Sequence, residues 1–420
     1  MKLNWYTIGY DAKFMYEKLR NQVCKNHVKS LTTYLSNLKW LLFMQILKYN
    51  FYHIYIDENL LNSSLIVNLC QKLNKRIVIV ADSNLSGSYG KLLQNTLSQH
   101  GFSSEICEFE VQEQYKTREL KQQLEDWLLE KKYGRDTSLI ALGGGIVTDL
   151  VGFLAATYCR GIPVIYLPTT LLAMVDASIG GKTGVNTPWG KNLIGTFTQP
   201  YAIGIDISTL KTLPDREWRN GIVEILKHSL LFDTSLFHTL QAIGSLTAFK
   251  THTDLTRIIQ RNCEIKQSIV TQDEHEYGIR QLLNFGHTIG HAIEILENYQ
   301  ITHGEAVAIG ILVECYIAYL SCDLSKEVLN TVYKVLKQYE LPLRTYVFAD
   351  VEAFIMALCL DKKSIRSVPR FVLLKKIGEP YIESNCYTHE VNETNLRKAL
   401  RWAAQMSQSN VHPVTLNPCD

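Results

Sequence analysis

The run Ser138-Leu-Ile-Ala-Leu-Gly-Gly-Gly-Ile-Val-Thr-Asp149 passes from an unbroken apolar stretch straight into three glycines and out into a segment of helical character. Such a run suits a strand buried on both faces. The glycines permit a strand-to-helix turn whose backbone N–H groups and helix N-terminus can approach a pyrophosphate. This is not the G-x-G-x-x-G fingerprint: the acidic strand-end residue Asp82 precedes the glycines, whereas the acid of that fingerprint follows by ~20 residues. Outward from this run, Arg76–Asp82, Pro163–Pro168 and Ala202–Asp206 read as further buried strands, and Thr117–Lys132 has helical periodicity. The alternation over 51–212 predicts a parallel sheet covered by helices, an α/β, Rossmann-like dinucleotide-binding domain.

After Pro214 the pattern changes to long apolar-periodic helices, expected at 216–232, 254–270, 281–297, 304–322 and 325–339, with strand signal only near Phe371–Leu374. A mostly α-helical second domain is therefore expected over 213–400, followed by a tail at 401–420. Residues 1–50 carry an excess of Lys and Arg over Asp and Glu. They read as an N-terminal extension, either a small helical appendage or a transit peptide, and are absent if Met44 is the start.

The whole chain of 420 residues is 46% hydrophobic and 20% charged, which excludes disordered, collagen-like and coiled-coil classes. With 43 Lys+Arg against 41 Asp+Glu the net charge is +2, so neither nucleic acid nor an anionic membrane surface is an expected partner. Any anion recognition must be local. The 10 cysteines form no C-x-x-C pair and read as free thiols of a cytoplasmic protein. No run of the length needed to span a membrane stands out.

Several polar groups intrude on apolar segments. Ser178-Ile-Gly-Gly-Lys-Thr183 imitates the end of a phosphate loop but has Asp176 where the first glycine belongs, leaving a glycine turn that presents Asp176, Lys182 and, further on, Lys191 and Asn192. In Asn284-Phe-Gly-His-Thr-Ile-Gly-His291, a continuous helix would align Asn284, His287 and His291 as a polar stripe. His303 opens another apolar helix, and Glu224 and Lys227 lie one turn apart inside a third. Two histidines with one glutamate suit a catalytic zinc-type site, although spacing leaves open which two histidines. Arg160, Lys182, Lys227, Lys266, Arg280 and Lys362 would together suit a small polyanionic substrate.

Taken in order, Gly143-Gly-Gly-Ile-Val-Thr-Asp149, Tyr158-Cys-Arg-Gly161, Pro168-Thr-Thr-Leu-Leu172, Asp176–Thr183, Gly190-Lys-Asn-Leu-Ile-Gly195, Asn220-Gly-Ile-Val-Glu224 and Asn284–His291 resemble the 3-dehydroquinate synthase family over about residues 70–380. The resemblance implies a stand-alone homodimeric enzyme with its active site between an NAD-binding and a helical domain. It implies a Zn2+ or Co2+ held by Glu224, His287 and His303, with His291 facing the substrate. It also implies NAD+ contacts from Asp82, Asn84, Glu113, Lys116, Gly144, Gly145, Asp149, Thr169, Thr170, Thr209 and Thr212, with Lys182 and Lys191 nearby. Substrate contacts fall by resemblance on Asp176, Lys182, Lys191, Asn192, Lys227, Lys266, Arg280, Asn284, His291 and Lys362, with Arg160 reaching across the dimer. The implied substrate is 3-deoxy-D-arabino-heptulosonate 7-phosphate (DAHP). The implied reaction runs through transient oxidation, phosphate elimination, re-reduction, ring opening and aldol closure. Thr148 and Ala177 depart from the family's usual glycine and serine. Another sugar phosphate cyclase, or a metal-dependent polyol dehydrogenase of related fold, are the alternative readings.

Overall fold

The computed structural model describes residues 45–49, 52–73, 76–360 and 368–408; residues 1–43 with the alternative start Met44, and Lys362, lie outside them. Strands β1 (Gln45–Lys48), β2 (His53–Asp57), β3 (Arg76–Asp82), β4 (Ser103–Phe109), β5 (Thr137–Gly143), β6 (Val164–Pro168) and β9 (Ala202–Asp206) form one sheet in the order β1-β2-β9-β6-β5-β3-β4. Neighbours are parallel except the antiparallel β1–β2 edge pair. Strand side chains alternate between faces, so Ile77, Ile79 and Ala81 of β3 join one core with Leu60, Ile66 and Leu97, while Val78 and Val80 join the other. That second core runs without a break into the helical part through Leu226, Phe285, Ile289 and Val307.

From β3 the chain steps to β4 on one side and then crosses to β5 on the other, so the topological switch lies between the carboxyl ends of β3 and β5. Asp82 and the three glycines meet there. Their distance along the sequence is closed by lateral pairing, with Ala81 opposite Leu142.

Helices α1 (Ser64–Gln71), α2 (Lys91–Gln99), α3 (Arg118–Glu130) and α4 (Gly145–Thr157) belong to the sheet half. The expected glycine turn is present, with Gly180 at φ 101 and Gly181 at φ 69, and it leads into an antiparallel hairpin, β7 (Lys182–Thr187) and β8 (Gly190–Phe197), that stands off the sheet. The helical half contains α5 (Asp215–Phe232), α6 (Thr234–Ile243), α7 (Leu255–Gln272), α8 (His287–Leu296), α9 (His303–Ser321), α10 (Lys326–Gln338), α11 (Val351–Leu360) and α12 (Glu393–Gln408). The helix expected over 281–297 is two pieces. A 3-10 turn occupies Ile279–Asn284, then Gly286 takes φ 78 and α8 begins at His287. Helix α12 runs on past position 400, where a tail was expected, and is fastened by Trp402 stacked on Tyr316 with ring centroids 4.0 Å apart.

By length and composition α9 could cross a membrane, yet 78% of its most apolar window is buried inside the fold, as in a core helix. The cysteines with described surroundings are free thiols.

Candidate active site

The cleft is assembled from strand ends on one side and helix interiors on the other. At the switch point Asp82 accepts from the backbone N–H of Asn84 at 2.9 Å and from its side chain at 3.1 Å. The glycine turn is tight: a Cβ on Gly143 would lie 2.4 Å from Val147, and one on Gly144 would lie 3.1 Å from Thr170. Thr169 donates its N–H to Gly143 O, and Thr170 Oγ1 accepts from Ala173, so the β5 and β6 turns are locked together. Thr209 and Thr212 lie in the 3-10 segment Ile207–Thr212, and Thr212 Oγ1 is 3.0 Å from Tyr89 Oη.

Lys116, only 3% exposed, donates to Asp149 Oδ2 at 2.5 Å and to Asn192 Oδ1 at 2.7 Å. Glu113 accepts from Asn186 at 2.7 Å and lies 3.7 Å from Lys191 Nζ. The hairpin is thus tied to the loop after β4. Burial raises the Asp149 carboxyl above its usual range, opposed by Lys116.

Across the cleft Asp176 receives Lys266 Nζ at 2.6 Å. Burial would raise the Asp176 carboxyl, but Lys266 and Lys227 hold it well below the usual carboxylate range. Arg280 is 2% exposed and donates to Gly180 O at 2.9 Å. Asn284 does not share a helix with the histidines; it donates to Glu276 Oε1 at 2.5 Å, and Glu276 also pairs with Lys182.

Glu224 is wholly buried on α5, paired through Oε2 with Lys227. Its Oε1 has no hydrogen-bond partner and faces His287 Nε2 at 3.7 Å and His303 Nε2 at 3.8 Å. Those separations are too long for hydrogen bonds. His287 Nδ1 donates to Phe285 O at 3.0 Å, which leaves Nε2 with its lone pair turned inward. An orphaned buried carboxylate oxygen facing imidazole lone pairs is a donor set for a divalent cation, and two nitrogens with one oxygen suit Zn2+ or Co2+. The glycine turn and the strand-end acid likewise fit a dinucleotide. Two overlapping sets, His291–Glu294–His303 and Asp176–Glu224–His228, share these atoms. In the first, Glu294 Oε1 is already engaged by Lys191 at 2.9 Å; in the second, Asp176 is engaged by Lys266.

Side-chain contacts join Glu113, Lys116, Asp149, Lys191 and Asn192 on one side, and Asp176, Lys266, Glu224, Lys227, His287 and His303 on the other, with Lys182 and Asn284 meeting at Glu276; Lys362 lies outside the described residues. Arg160 stands apart: it is exposed on the turn Tyr158–Arg160, where Cys159, Arg160 and Gly161 all have positive φ, and no contact among the described residues joins it to the cleft. Three groups escaped the sequence reading. Glu294 and Glu276 pair with cleft cations, and the fully buried His228 directs Nδ1 at Asn262 Oδ1, 2.9 Å away. Asn262 Nδ2 donates to Val175 O, so its oxygen is the acceptor and His228 Nε2 turns a lone pair toward the cleft. Glu294 carried a usable signal, an acid one turn beyond His291 among isoleucines, and His228 carried another, a histidine four residues after Glu224 in the same apolar helix.

A nucleotide-type sheet meeting a Glu-His-His set and buried lysines defines a dinucleotide- and metal-dependent enzyme acting on an anionic substrate, a class that the sugar phosphate cyclases share. In the solved structures, 2-epi-5-epi-valiolone synthase from Streptomyces hygroscopicus subsp. jinggangensis 5008, with NAD+ and Zn2+ bound, superimposes with TM-score 0.77 at 28% identity over 86% of this chain and 99% of that one. Glycerol dehydrogenase from Schizosaccharomyces pombe shares the fold at TM-score 0.60 and 16% identity, over 84% of this chain and 89% of that one. Sequence models described as 3-dehydroquinate synthase N-terminal and C-terminal match residues 106–220 and 221–364. The 3-dehydroquinate synthase of Thermodesulfovibrio yellowstonii is 39% identical over 352 residues, covering 83% of this chain and 96% of that protein. That of Acaryochloris marina is 42% identical over 311 residues, covering 73% and 84%. The chain belongs to the 3-dehydroquinate synthase family.

Proposed function

We propose that this chain converts DAHP to 3-dehydroquinate and phosphate, and that Glu224, His287 and His303 hold its divalent metal. The observation that carries the reading is the orphaned Glu224 oxygen facing two imidazole nitrogens, beside a dinucleotide turn and buried lysines. NAD+ supplies a transient hydride acceptor, and the metal acidifies the hydroxyl being oxidised. Asp82, Asn84, Glu113, Lys116, Gly144, Gly145, Asp149, Thr169, Thr170, Thr209 and Thr212 line the dinucleotide side. Lys182, Lys191, Asn192, Lys227, Lys266 and Arg280 clamp the carboxylate and phosphate of the substrate, with Lys362 assigned to the same task. Asn284 and His291 orient the phosphate, which takes the proton as it leaves. Asp176 stays ionised and holds the Lys266 ammonium, while Glu224 holds that of Lys227.

The protein acts in the cytoplasm as a homodimer. The strained, outward-facing Arg160 supports this, since such backbone is retained where a side chain serves a site elsewhere, here the second subunit's cleft. Incubating the purified chain with DAHP, NAD+ and Zn2+ should yield 3-dehydroquinate and phosphate in equal amounts. Absence of both products from folded, metal-loaded protein would refute the assignment.

A further inference from the structure

Glu294 sits on α8, one turn after His291, and is 2% exposed among Ile289, Ala292 and Ile293. A carboxylate buried there contributes nothing that an apolar residue would not supply more cheaply, unless its partners matter. Its Oε1 lies 3.5 Å from His303 Nδ1 and 2.9 Å from Lys191 Nζ. The His303 ring therefore spans two carboxylates, Nδ1 toward Glu294 and Nε2 toward Glu224 at 3.8 Å. An imidazole can present its Nε2 lone pair to a metal only if the proton sits on Nδ1, and a carboxylate facing Nδ1 fixes that tautomer and the ring plane. The same oxygen receives Lys191 from the start of β8, and Lys191 also lies over the Tyr299 ring at 4.5 Å.

We propose that Glu294 is a positioning residue that holds His303 in its metal-binding tautomer and anchors the β7–β8 hairpin through Lys191. The inference rests on the reading of Glu224, His287 and His303 as metal ligands.

The test uses the full chain stripped of metal and titrated with Co2+ against a chromophoric chelator, with the visible Co2+ spectrum recorded in parallel. Glu294→Gln should weaken Co2+ binding ~10–100-fold and change the spectrum, and trypsin should cut after Lys191 faster than in the parent. Glu294→Asp keeps the charge but shortens the reach, so it should fall between parent and Gln; it carries the test if the Gln variant does not fold. Parent-like Co2+ affinity and spectrum in whichever folded variant is measured would overturn the proposal, even with a lowered Tm. His287→Ala separates the two claims. If it abolishes Co2+ binding while the Glu294 variants bind normally, only this inference fails; if His287→Ala binds Co2+ as the parent does, the ligand reading fails.

Discussion

His228 shows how burial can set a residue's chemistry. Burial, reinforced by Lys227, pushes its pKa from the ordinary 6.5 down to about 3, so the ring is neutral at physiological pH. The unfolded chain takes up that proton near 6.5 and the folded chain only near 3. Between those values the unfolded state binds more protons, so this contribution is complete above pH 6.5 and is lost as pH falls, at up to ~1.4 kcal/mol per unit. In urea unfolding between pH 7 and 4, His228→Gln should flatten the pH dependence by nearly one proton; an unchanged slope would contradict the assignment. Residues of this kind are hard to read from sequence. The partners Asn262 and Asp176 come from distant segments, although His228 lies four residues after Glu224 in the same apolar helix. Glu224, His287 and His303 were legible because each interrupts an apolar run, although spacing alone could not choose among the histidines. The family resemblance made that choice, and the ring directions, set by Phe285 O for His287 and Glu294 for His303, are compatible with it.

At the scale of elements, the two histidines of the proposed metal site come from helices that meet backbone to backbone, and Glu224 comes from a third, α5. His287 opens α8 and His303 opens α9, and Thr302 caps α9 in a capping box with Glu305. The two first turns converge because glycines line the contact. A Cβ on Gly310 would lie 1.9 Å from Gly286 O, and one on Gly290 would lie 3.3 Å from the Ala306 backbone. Gly310→Ala should force the helices apart, costing about 1–3 kcal/mol by overpacking and lowering bound metal; thermal unfolding and metal analysis check both, and parent-like values would refute the contact. The break before α8 has the same origin. Apolar periodicity through 281–297 predicts one helix, but Gly286 in the left-handed region packs against Ile311 and Val307 and resets the chain direction, carrying Asn284 off to Glu276. Periodicity reports which residues are buried, not where a close helix contact demands a turn. The β7–β8 hairpin was missed for a related reason: several β8 residues, including Leu193 and Phe197, are exposed, so the strand lacks a buried face to give it alternation.

At the scale of the whole molecule, the sheet half was readable from its buried strands, and the change to helices after Pro214 was plain. The long interval between Asp82 and the glycines looked like a departure from dinucleotide binding, and the strand order resolves it, since the two strands are neighbours across the switch point. The near-balanced net charge of +2 takes on a local meaning. Lys182, Lys191, Lys227 and Lys266 pair with Glu276, Glu294, Glu224 and Asp176, so several cations are held together by acidic partners where the proposed anionic substrate would bind. The fold is shared with a glycerol dehydrogenase; a net oxidation would accumulate reduced cofactor, whereas the proposed reaction returns the hydride within each turnover. The most direct test follows phosphate release and NADH absorbance together while the enzyme turns over excess DAHP with a small amount of NAD+. Many phosphates released per NAD+ with no net NADH is the predicted result; NADH accumulating in step with substrate consumption would contradict it.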